Sequence, residues 1–382
     1  MDYFKTFSSN SVGGSSNQFY FEQNETKITT GRMFYKIYSG GKFGYSILFS
    51  NTVDSTFADG SKSQANLKCD SWKIIEAKVG RCKKMPYGNG VTGATMSDTD
   101  CDADIYVNDF KPLTFGCNLQ KDVASGEMFY SDSIEMEFEK NEFLCLEITF
   151  SGKQIPYHEE TLLPAYIKTE TGWVYSKFMP CASMIGCDRK VNKKVCFLGD
   201  SITQGCGTPL NGYLHWNARL TENLNPKNSY WNLGIGFGRA NDAATDESWL
   251  FKAKQNDIVF VCFGVNDIFK IGNTEKTKND LLKIVNILKR NNKFVIIQTV
   301  PPFNYDEEKK IIWKEINCFI KNDLAKICDA VFDCVPILGC SPENSHMAKY
   351  GGHPNEFGCE LWAQALLKYI NENEKLKNLL IL

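Results

Sequence analysis

The feature that most constrains this chain is a regular alternation of short apolar runs and helical segments after about residue 190. VCFL at 195–198 is a continuous apolar run, and DIVFVCFG at 257–264 and KFVIIQTV at 293–300 repeat the pattern. Such runs are typical of parallel strands buried on both faces. Helical segments separate or follow them at about 211–224, 281–290, 306–327 and 355–370. The alternation predicts an α/β domain with a parallel sheet covered by helices on both faces, over residues 191–382.

The first part of the chain has a different pattern, with short β-rich stretches separated by turn residues. Ile134, Met136 and Phe138 alternate with glutamates, which is the period of a half-buried strand, and FLCLEITF at 143–150 predicts another strand. The segment MFYKIYSGGKFGYSILFSN predicts a hairpin around its Ser-Gly-Gly turn. Many short strands without a convincing amphipathic helix predict an all-β sandwich, jelly-roll-like, over residues 1–190.

Composition narrows the possible partners. The 382 residues carry 43 basic and 45 acidic side chains, for a net charge of −2, so the charge does not favour nucleic acid or an anionic membrane. We find no apolar run long enough to span a membrane. The first 18 residues are rich in Ser, Asn and Gly; they do not resemble a signal peptide and are expected to be mobile. The odd number of cysteines, 15, indicates reduced thiols and a cytoplasmic location.

Four short motifs of the second part carry the polar residues that chemistry needs. They are GDSITQG at 199–205, NLGIGFGRAND at 232–242, FGVND at 263–267 and YGGHPNEFG at 350–358. Active sites of open α/β sheets lie at the carboxyl ends of the strands, where Ser201 would be backed by a helix N-terminus. The Asn266 amide can donate to a developing oxyanion, and His353 can take the serine proton and return it to a leaving group. The motifs therefore predict a serine nucleophile, a base and oxyanion donors at one edge of the sheet.

These four blocks, in this order, resemble those of the SGNH hydrolases, also called the GDSL esterase/lipase superfamily. The resemblance implies a flavodoxin-like, three-layer α/β/α fold and no metal or organic cofactor. It also implies that Ser201 is the nucleophile, that His353 is the base, and that Ser201 N–H, a glycine-block N–H and the Asn266 amide form the oxyanion hole. Phe237 stands where such families often have a second glycine, so either Phe237 or Gly238 is expected to supply the glycine-block N–H.

One position departs from the superfamily pattern. Its members have an acid three residues before the histidine, whereas this chain has Tyr350. A tyrosine cannot stabilise an imidazolium by charge, and two alternatives follow. Another carboxylate, of which Glu343 is the nearest upstream, reaches His353, or a backbone carbonyl orients the ring in a Ser–His dyad. Loss of the third member lowers the rate of such enzymes without abolishing it, but it also leaves open a domain without catalytic activity.

The β-rich part resembles the region that precedes the SGNH domain in some bacterial proteins, and the layout is similar to two-domain carbohydrate esterases. We therefore expect a serine esterase acting on small acyl esters, with O-acetyl groups on carbohydrate as the first expectation. The alternatives are a lipase, lysophospholipase or thioesterase of the same superfamily, and a catalytically impaired glycan-binding protein. Aromatic side chains such as Trp72 and Trp173 either line a sugar platform or, as is more common, pack in the core. The oligomeric state is not indicated.

Each motif also has a structural interpretation. Ser201 can be a helix N-cap, Asn266 a turn former and His353 a cap of the last helix, while Asp200 is expected to bond loop amides. Two cysteines and two histidines near the C-terminus offer zinc-binding side chains, although their spacings fit no familiar zinc motif. These residues are Cys340, His346, His353 and Cys359.

Overall fold

The computed structural model describes residues 2–55, 65–85, 106–158, 162–339, 346–349 and 351–382. Up to residue 187, the described chain consists of a one-turn helix, α1 (Tyr3–Thr6), followed by strands. The strands are β1 (Ser8–Ser9), β2 (Phe19–Glu22), β3 (Thr29–Lys36), β4 (Gly41–Ser50), β5 (Thr52–Val53), β6 (Leu67–Lys68), β7 (Trp72–Cys82), β8 (Asn108–Pro112), β9 (Lys121–Val123), β10 (Met128–Tyr130), β11 (Ile134–Phe138), β12 (Phe143–Gly152), β13 (Gln154–Tyr157), β14 (Ala165–Thr169), β15 (Gly172–Tyr175) and β16 (Met184–Cys187).

Two antiparallel sheets account for most of these strands. One has the order β1-β16-β4-β10, with β11 also paired to β4, and the other has the order β15-β14-β3-β12-β7-β8, with β9 also paired to β7. The alternation in β11 is as predicted, because Met136 and Phe138 are buried while Glu135 and Glu137 are exposed. β12 confirms the second predicted strand. Buried side chains of both sheets belong to one continuous hydrophobic core.

The predicted hairpin around the Ser-Gly-Gly turn is wrong. Its two strands, β3 and β4, do not pair with each other: β3 pairs with β12 and β14, and β4 pairs with β10, β11 and β16. Both strands are mostly buried, and Ile37 between them is fully buried. The chain therefore turns a corner from one sheet to the other, which lets both apolar strands face the shared core.

The expectation that the first 18 residues are mobile is also wrong. From Phe7 to Phe19 every residue is buried. The polar side chains in this segment satisfy backbone groups that a mobile tail would leave to water. Asn10 Nδ2 donates to the Ser39 carbonyl at 3.0 Å, and Asn17 Nδ2 donates to the Ser50 carbonyl at 2.7 Å. Such small polar residues can be buried because several of their polar groups bond to backbone groups of the protein instead of to water.

From residue 194 onward the described chain alternates strands and helices as predicted. The strands are β17 (Lys194–Gly199), β18 (Ser229–Asn232), β19 (Ile258–Cys262), β20 (Phe294–Gln298), β21 (Ala330–Phe332), β22 (Ala348–Lys349) and β23 (His353–Pro354). The helices are α2 (Ser201–Gln204), α3 (Trp216–Thr221), α4 (Ala240–Ala243), α5 (Ser248–Lys254), α6 (Val265–Lys270), α7 (Thr274–Arg290), α8 (Glu307–Asn322), α9 (Val335–Leu338), α10 (Glu356–Glu372) and α11 (Glu374–Leu380), with a short 3-10 helix at Leu324–Lys326.

The parallel sheet places two of the motifs side by side. Its order is β18-β17-β19-β20-β21. Counted along the chain this is 2-1-3-4-5, the flavodoxin-like order, in which ligands bind where the strand order reverses. The reversal lies between β17 and β19. Ser201 follows β17 and Asn266 follows β19, so both residues lie at the carboxyl ends of the strands beside the reversal.

Two helix boundaries differ from the sequence prediction. The helix expected at about 211–224 is reduced to α3, because Asn211 and Tyr213 before it adopt positive φ angles of 57° and 51°, which a right-handed helix excludes. The last predicted helix is α10, and the unpredicted α11 follows it. Asn373 begins α11 by accepting hydrogen bonds from the N–H groups of Lys375 and Leu376.

Buried polar contacts join the β-rich part to the α/β part. Asp54 lies after β5 and Lys252 lies on α5, and both side chains are fully buried. Lys252 Nζ donates to Asp54 Oδ2 at 2.5 Å, Asn17 N–H donates to the same oxygen at 3.0 Å, and Ser248 Oγ donates to Oδ1 at 2.7 Å. A buried ion pair is tolerated when further hydrogen bonds satisfy it, so this cluster favours one arrangement of the two parts.

Within the described ranges, no helix is both long and apolar enough to cross a membrane. The thirteen cysteines in those ranges are all free, and most of them are buried.

Candidate active site

The serine stands at the carboxyl end of β17, beside the point where the strand order reverses. Gly199 is required there, because a Cβ atom would lie 2.5 Å from the carbonyl oxygen of Cys262 on the neighbouring strand. Asp200 caps α2 by accepting the N–H of Ile202 at 3.0 Å, and Ser201 is the first helical residue. The structural role expected for Asp200 is therefore observed, and the alternative that Ser201 is the N-cap is wrong.

The histidine approaches this turn from the last strand pair. His353 begins β23, and its Nε2 lies 2.8 Å from Ser201 Oγ, with side chains 8% and 7% exposed. The close approach depends on Gly207, whose φ is +99° and where a Cβ would lie 2.7 Å from the Pro354 carbonyl oxygen. The N-cap of α10 is Asn355, which accepts from two N–H groups, so the alternative that His353 caps this helix is wrong. The geometry is that of a nucleophile and a general base.

The glycine block packs directly against the serine turn. A Cβ at Gly234 would lie 2.2 Å from the backbone nitrogen of Gln204 on α2, so only glycine allows this contact. The Gly238 N–H donates to the Ile235 carbonyl at 3.1 Å, and Phe237 before it has a φ of +60°. This is the pattern of a type II turn, which favours glycine at the position of Phe237. The turn bond already uses the Gly238 N–H, and this favours Phe237 over Gly238 as the backbone donor.

Asn266 connects the third motif to the glycine block. Its Nδ2 donates to the Gly238 carbonyl at 3.0 Å and is half-buried. An amide nitrogen carries two hydrogens, so this bond leaves one for an oxyanion. The neighbouring Asp267 is fully buried and accepts the N–H groups of Ala240 and Asn241 at the start of α4. Asn266 is thus fixed on both sides rather than being a free turn residue.

Two carboxyl groups near the serine, those of Asp200 and Asp267, are buried. The pKa of Asp200 is raised to about 7, mainly by burial and also by the charge of the nearby Asp267, although the Ile202 N–H lowers it. Burial likewise raises the pKa of Asp267 to about 6, although the Ala240 N–H lowers it. Both groups hold backbone amides, so they shape the site rather than transfer protons in it.

Several sequence predictions lie elsewhere. Tyr350, Glu343 and Cys340 fall outside the described residues, so the orientation of His353 by a third group remains a prediction. Within the described ranges, no group of three or more His, Cys, Asp and Glu side chains is placed to hold a metal ion. Trp72 is a core residue, 5% exposed. Trp173 is half-buried, and the Arg32 guanidinium lies 4.2 Å from its ring centroid.

The sequence reading missed a residue beside the histidine. The ring of Phe303 contacts the His353 ring at a centroid distance of 5.0 Å. Phe303 follows the Pro301-Pro302 pair just after β20, at the same edge of the sheet as Ser201. The sequence feature that could have indicated Phe303 is its position after a buried strand, because residues at the carboxyl ends of parallel strands converge on one edge of the sheet.

Comparison with known proteins agrees with the site. Residues 197–361 match the model of the GDSL-like Lipase/Acylhydrolase family. The part of the chain that holds the site therefore matches a GDSL-like lipase/acylhydrolase domain, and this match supports a carboxylic ester hydrolase. A search of curated proteins finds no significant match.

Solved structures similar to this chain include three esterase-type proteins. A member of the lipolytic protein G-D-S-L family from Veillonella parvula is 20% identical, covering 47% of this chain and 99% of that one, with a TM-score of 0.41. A carbohydrate esterase family 3 protein from Talaromyces cellulolyticus is 21% identical, covering 48% and 98%, with a TM-score of 0.36. A family two carbohydrate esterase from Clostridium thermocellum, in complex with cellohexaose, is 11% identical, covering 94% and 99%, with a TM-score of 0.40.

Proposed function

We propose that this protein is a serine esterase that removes small acyl groups, O-acetyl groups above all, from carbohydrate through an acyl-enzyme on Ser201. The observation that carries the mechanism is the 2.8 Å contact between Ser201 Oγ and His353 Nε2 at the carboxyl end of β17. In the first step His353 Nε2 takes the proton of Ser201, and Oγ attacks the ester carbonyl. The ester C–O bond then breaks, and the same nitrogen protonates the departing alcohol.

Deacylation repeats these steps with water. His353 takes a proton from water, the hydroxide attacks the acyl carbonyl, and Ser201 leaves with the proton. In both halves the oxyanion accepts hydrogen bonds from the N–H of Ser201, the N–H of Phe237 and Nδ2 of Asn266. Each such donor contributes on the order of 3 kcal/mol to transition-state stabilisation.

The substrate part of the proposal has two supports. Ser201 and His353 are almost completely buried, and a buried nucleophile favours a small acyl group over a long chain. The β-rich part, which we propose to be a jelly-roll-like domain divided from the hydrolase domain near residue 190, gives the layout that resembles carbohydrate esterases in sequence. The expected partner is a small-molecule or carbohydrate ester, and the chemistry requires no cofactor.

The test compares hydrolysis of 4-nitrophenyl acetate by the wild type and by Ser201→Ala at pH 7–8. We expect turnover in the wild type and only background hydrolysis in the variant, with unchanged far-UV circular dichroism. Faster hydrolysis of acetyl than of octanoyl esters supports the small-acyl assignment, and release of acetate from acetylated oligosaccharides supports the carbohydrate assignment. Equal rates in the two proteins would remove Ser201 from the mechanism.

A further inference from the structure

We infer that Phe303 is the positioning residue that holds the His353 imidazole toward Ser201. The inference rests on the proposed role of His353 as the base. The two rings are nearly perpendicular, at 81°, with centroids 5.0 Å apart, which is a favourable edge-to-face arrangement of aromatic rings. Because Phe303 lies after β20 and His353 lies on β23, the contact joins two segments that are distant in sequence.

The segment that carries His353 offers little orientation of its own. Its strand pairing consists of two residues on each side, β22 and β23. Gly351 and Gly352 directly before it have φ angles of +62° and +92°, a region in which glycine is the least restrained residue. A contact from outside the segment therefore adds to the restraint on the direction in which the ring points.

The loop that carries Phe303 is anchored at its base. The N–H of Val300 donates to Asn317 Oδ1 at 2.7 Å, and the carbonyl of Val300 accepts from Asn317 Nδ2 at 3.0 Å and from Trp313 Nε1 at 2.8 Å. Asn317 and Trp313 lie on α8 and are buried. Both backbone groups of Val300 are thus tied to a long helix, and Phe303 is presented from a fixed point.

The same loop also packs closely against the backbone of the histidine segment at Gly352. There is no room for a side chain at this position, because a Cβ would lie 2.9 Å from Asn304 Oδ1 and 3.3 Å from Phe303 Cα. On its other side the Phe303 ring contacts the Phe269 ring, at a centroid distance of 5.6 Å and an angle of 75°. Phe303 therefore lies between Phe269 and His353, and the anchored backbone of its loop fixes its position.

Proton transfer between Ser201 and His353 is therefore expected to depend on the side chain at position 303. A general base acts only within hydrogen-bond reach of its proton, and a misplacement of about 1 Å can cost about a hundredfold in rate. We expect Phe303→Leu to lower kcat at least tenfold while KM changes less than twofold, because the substitution frees the imidazole without removing a proposed contact to the ester carbonyl. Phe303→Tyr keeps the ring and is expected to restore most of kcat.

The matched control is Phe269→Leu. The Phe269 ring contacts the rings of Phe303 and Tyr305, so this substitution removes a neighbouring ring and keeps the contact between Phe303 and His353. All variants are assayed with 4-nitrophenyl acetate and by the rate at which diethyl 4-nitrophenyl phosphate inactivates them, since phosphorylation of Ser201 also needs the base. For both the hydrolysis rate and the inactivation rate, we expect the wild type, Phe303→Tyr and Phe269→Leu to be similar and Phe303→Leu to be far slower. A Phe303→Leu protein with wild-type kcat, or a Phe303→Tyr protein as slow as Phe303→Leu, overturns the inference.

A second readout separates failure of this inference from failure of the proposed function. The chain has four histidines, so the ring signals of a ¹³C-histidine-labelled sample are few, and the His353 signal is identified by its loss in His353→Ala. In Phe303→Leu we expect this signal to move and broaden, and in Phe303→Tyr to return toward its wild-type position. A wild type without ester turnover would remove the proposed function, whereas an unchanged His353 signal in Phe303→Leu would overturn the role of Phe303 whatever the activity.

Discussion

The serine side and the histidine side of the active site are built in different ways. On the serine side, backbone segments pack directly against each other: Gly199 lies against the backbone of strand β19, and Gly234 lies against the backbone of Gln204. The histidine side depends on side chains from distant segments, with the ring of Phe303 against the ring of His353. These contacts require glycine at the two positions but no particular side chain around them, so we expect the serine side to keep its function through substitutions outside its glycines. The histidine side should be sensitive to the loss of single rings.

The exception on the serine side is Asn266, where a side chain takes part in the proposed chemistry. Asn266→Ala removes an oxyanion donor, and we expect kcat to fall about 10²–10³-fold. The control is Asn241→Ala on the neighbouring helix α4, whose side chain bonds Lys276. Steady-state kinetics with 4-nitrophenyl acetate make the measurement. If Asn266→Ala raises KM but keeps kcat, the amide binds the ground state and not the oxyanion.

Asp200→Asn tests whether the buried cap acts through its hydrogen bond alone. The folded pKa of Asp200 is raised to about 7, whereas an unfolded Asp titrates near 3.9. Between about pH 4 and 7 the native state therefore holds a proton that the unfolded state has lost, and the wild type loses stability as the pH rises through this window. Asparagine can still accept the Ile202 N–H and carries no charge to desolvate.

We expect Asp200→Asn to become more stable than the wild type as the pH increases from 4 to 7, by on the order of a few kcal/mol. Ester hydrolysis should be retained. Urea unfolding at pH 4, 5.5 and 7 measures the difference. A constant difference between the two proteins over this range would show that the carboxyl group does not titrate there.

The smallest effect is expected at Phe237, where the left-handed backbone strains a non-glycine residue. Phe237→Gly relieves this strain, and Phe237→Ala removes the same ring but keeps the strain. We expect the glycine variant to be about 1 kcal/mol more stable than the alanine variant, measured by thermal or urea unfolding. Both should hydrolyse 4-nitrophenyl acetate, because the proposed donor is a backbone N–H. Loss of activity in both would mean that the ring itself contributes to the site.

The sequence predicted the serine side well because its determinants are local. An apolar strand followed by Gly199-Asp200-Ser201 specifies a strand, a cap and a helix within a few residues. Asn266 was found by the same reasoning at the next strand. Phe303 was missed because its one local signal, the position after a buried strand, does not name a partner, and its contact with His353 exists only once β20 and β23 are in place.

The β-rich part shows the same limit. The alternation of Ile134, Met136 and Phe138 predicted a strand, since side-chain direction repeats every two residues whatever the partner. The pairing of β3 and β4 was predicted wrongly, because alternation does not say which strand lies alongside. Residues 1–18 were expected to be mobile from composition, but their small polar side chains fill hydrogen-bonding positions that only the assembled chain provides.

By itself, the sequence indicated several strands, the alternation of strands and helices in the α/β part, and the serine, histidine and asparagine that are candidates for the site, because each depends on residue type and short-range spacing. Tertiary structure alone decided which sheet each antiparallel strand joins, the burial of the N-terminal segment and the contact of Phe303 with His353. These depend on contacts between segments tens to hundreds of residues apart, and the free energy of such contacts is defined only when the chain has brought both partners together.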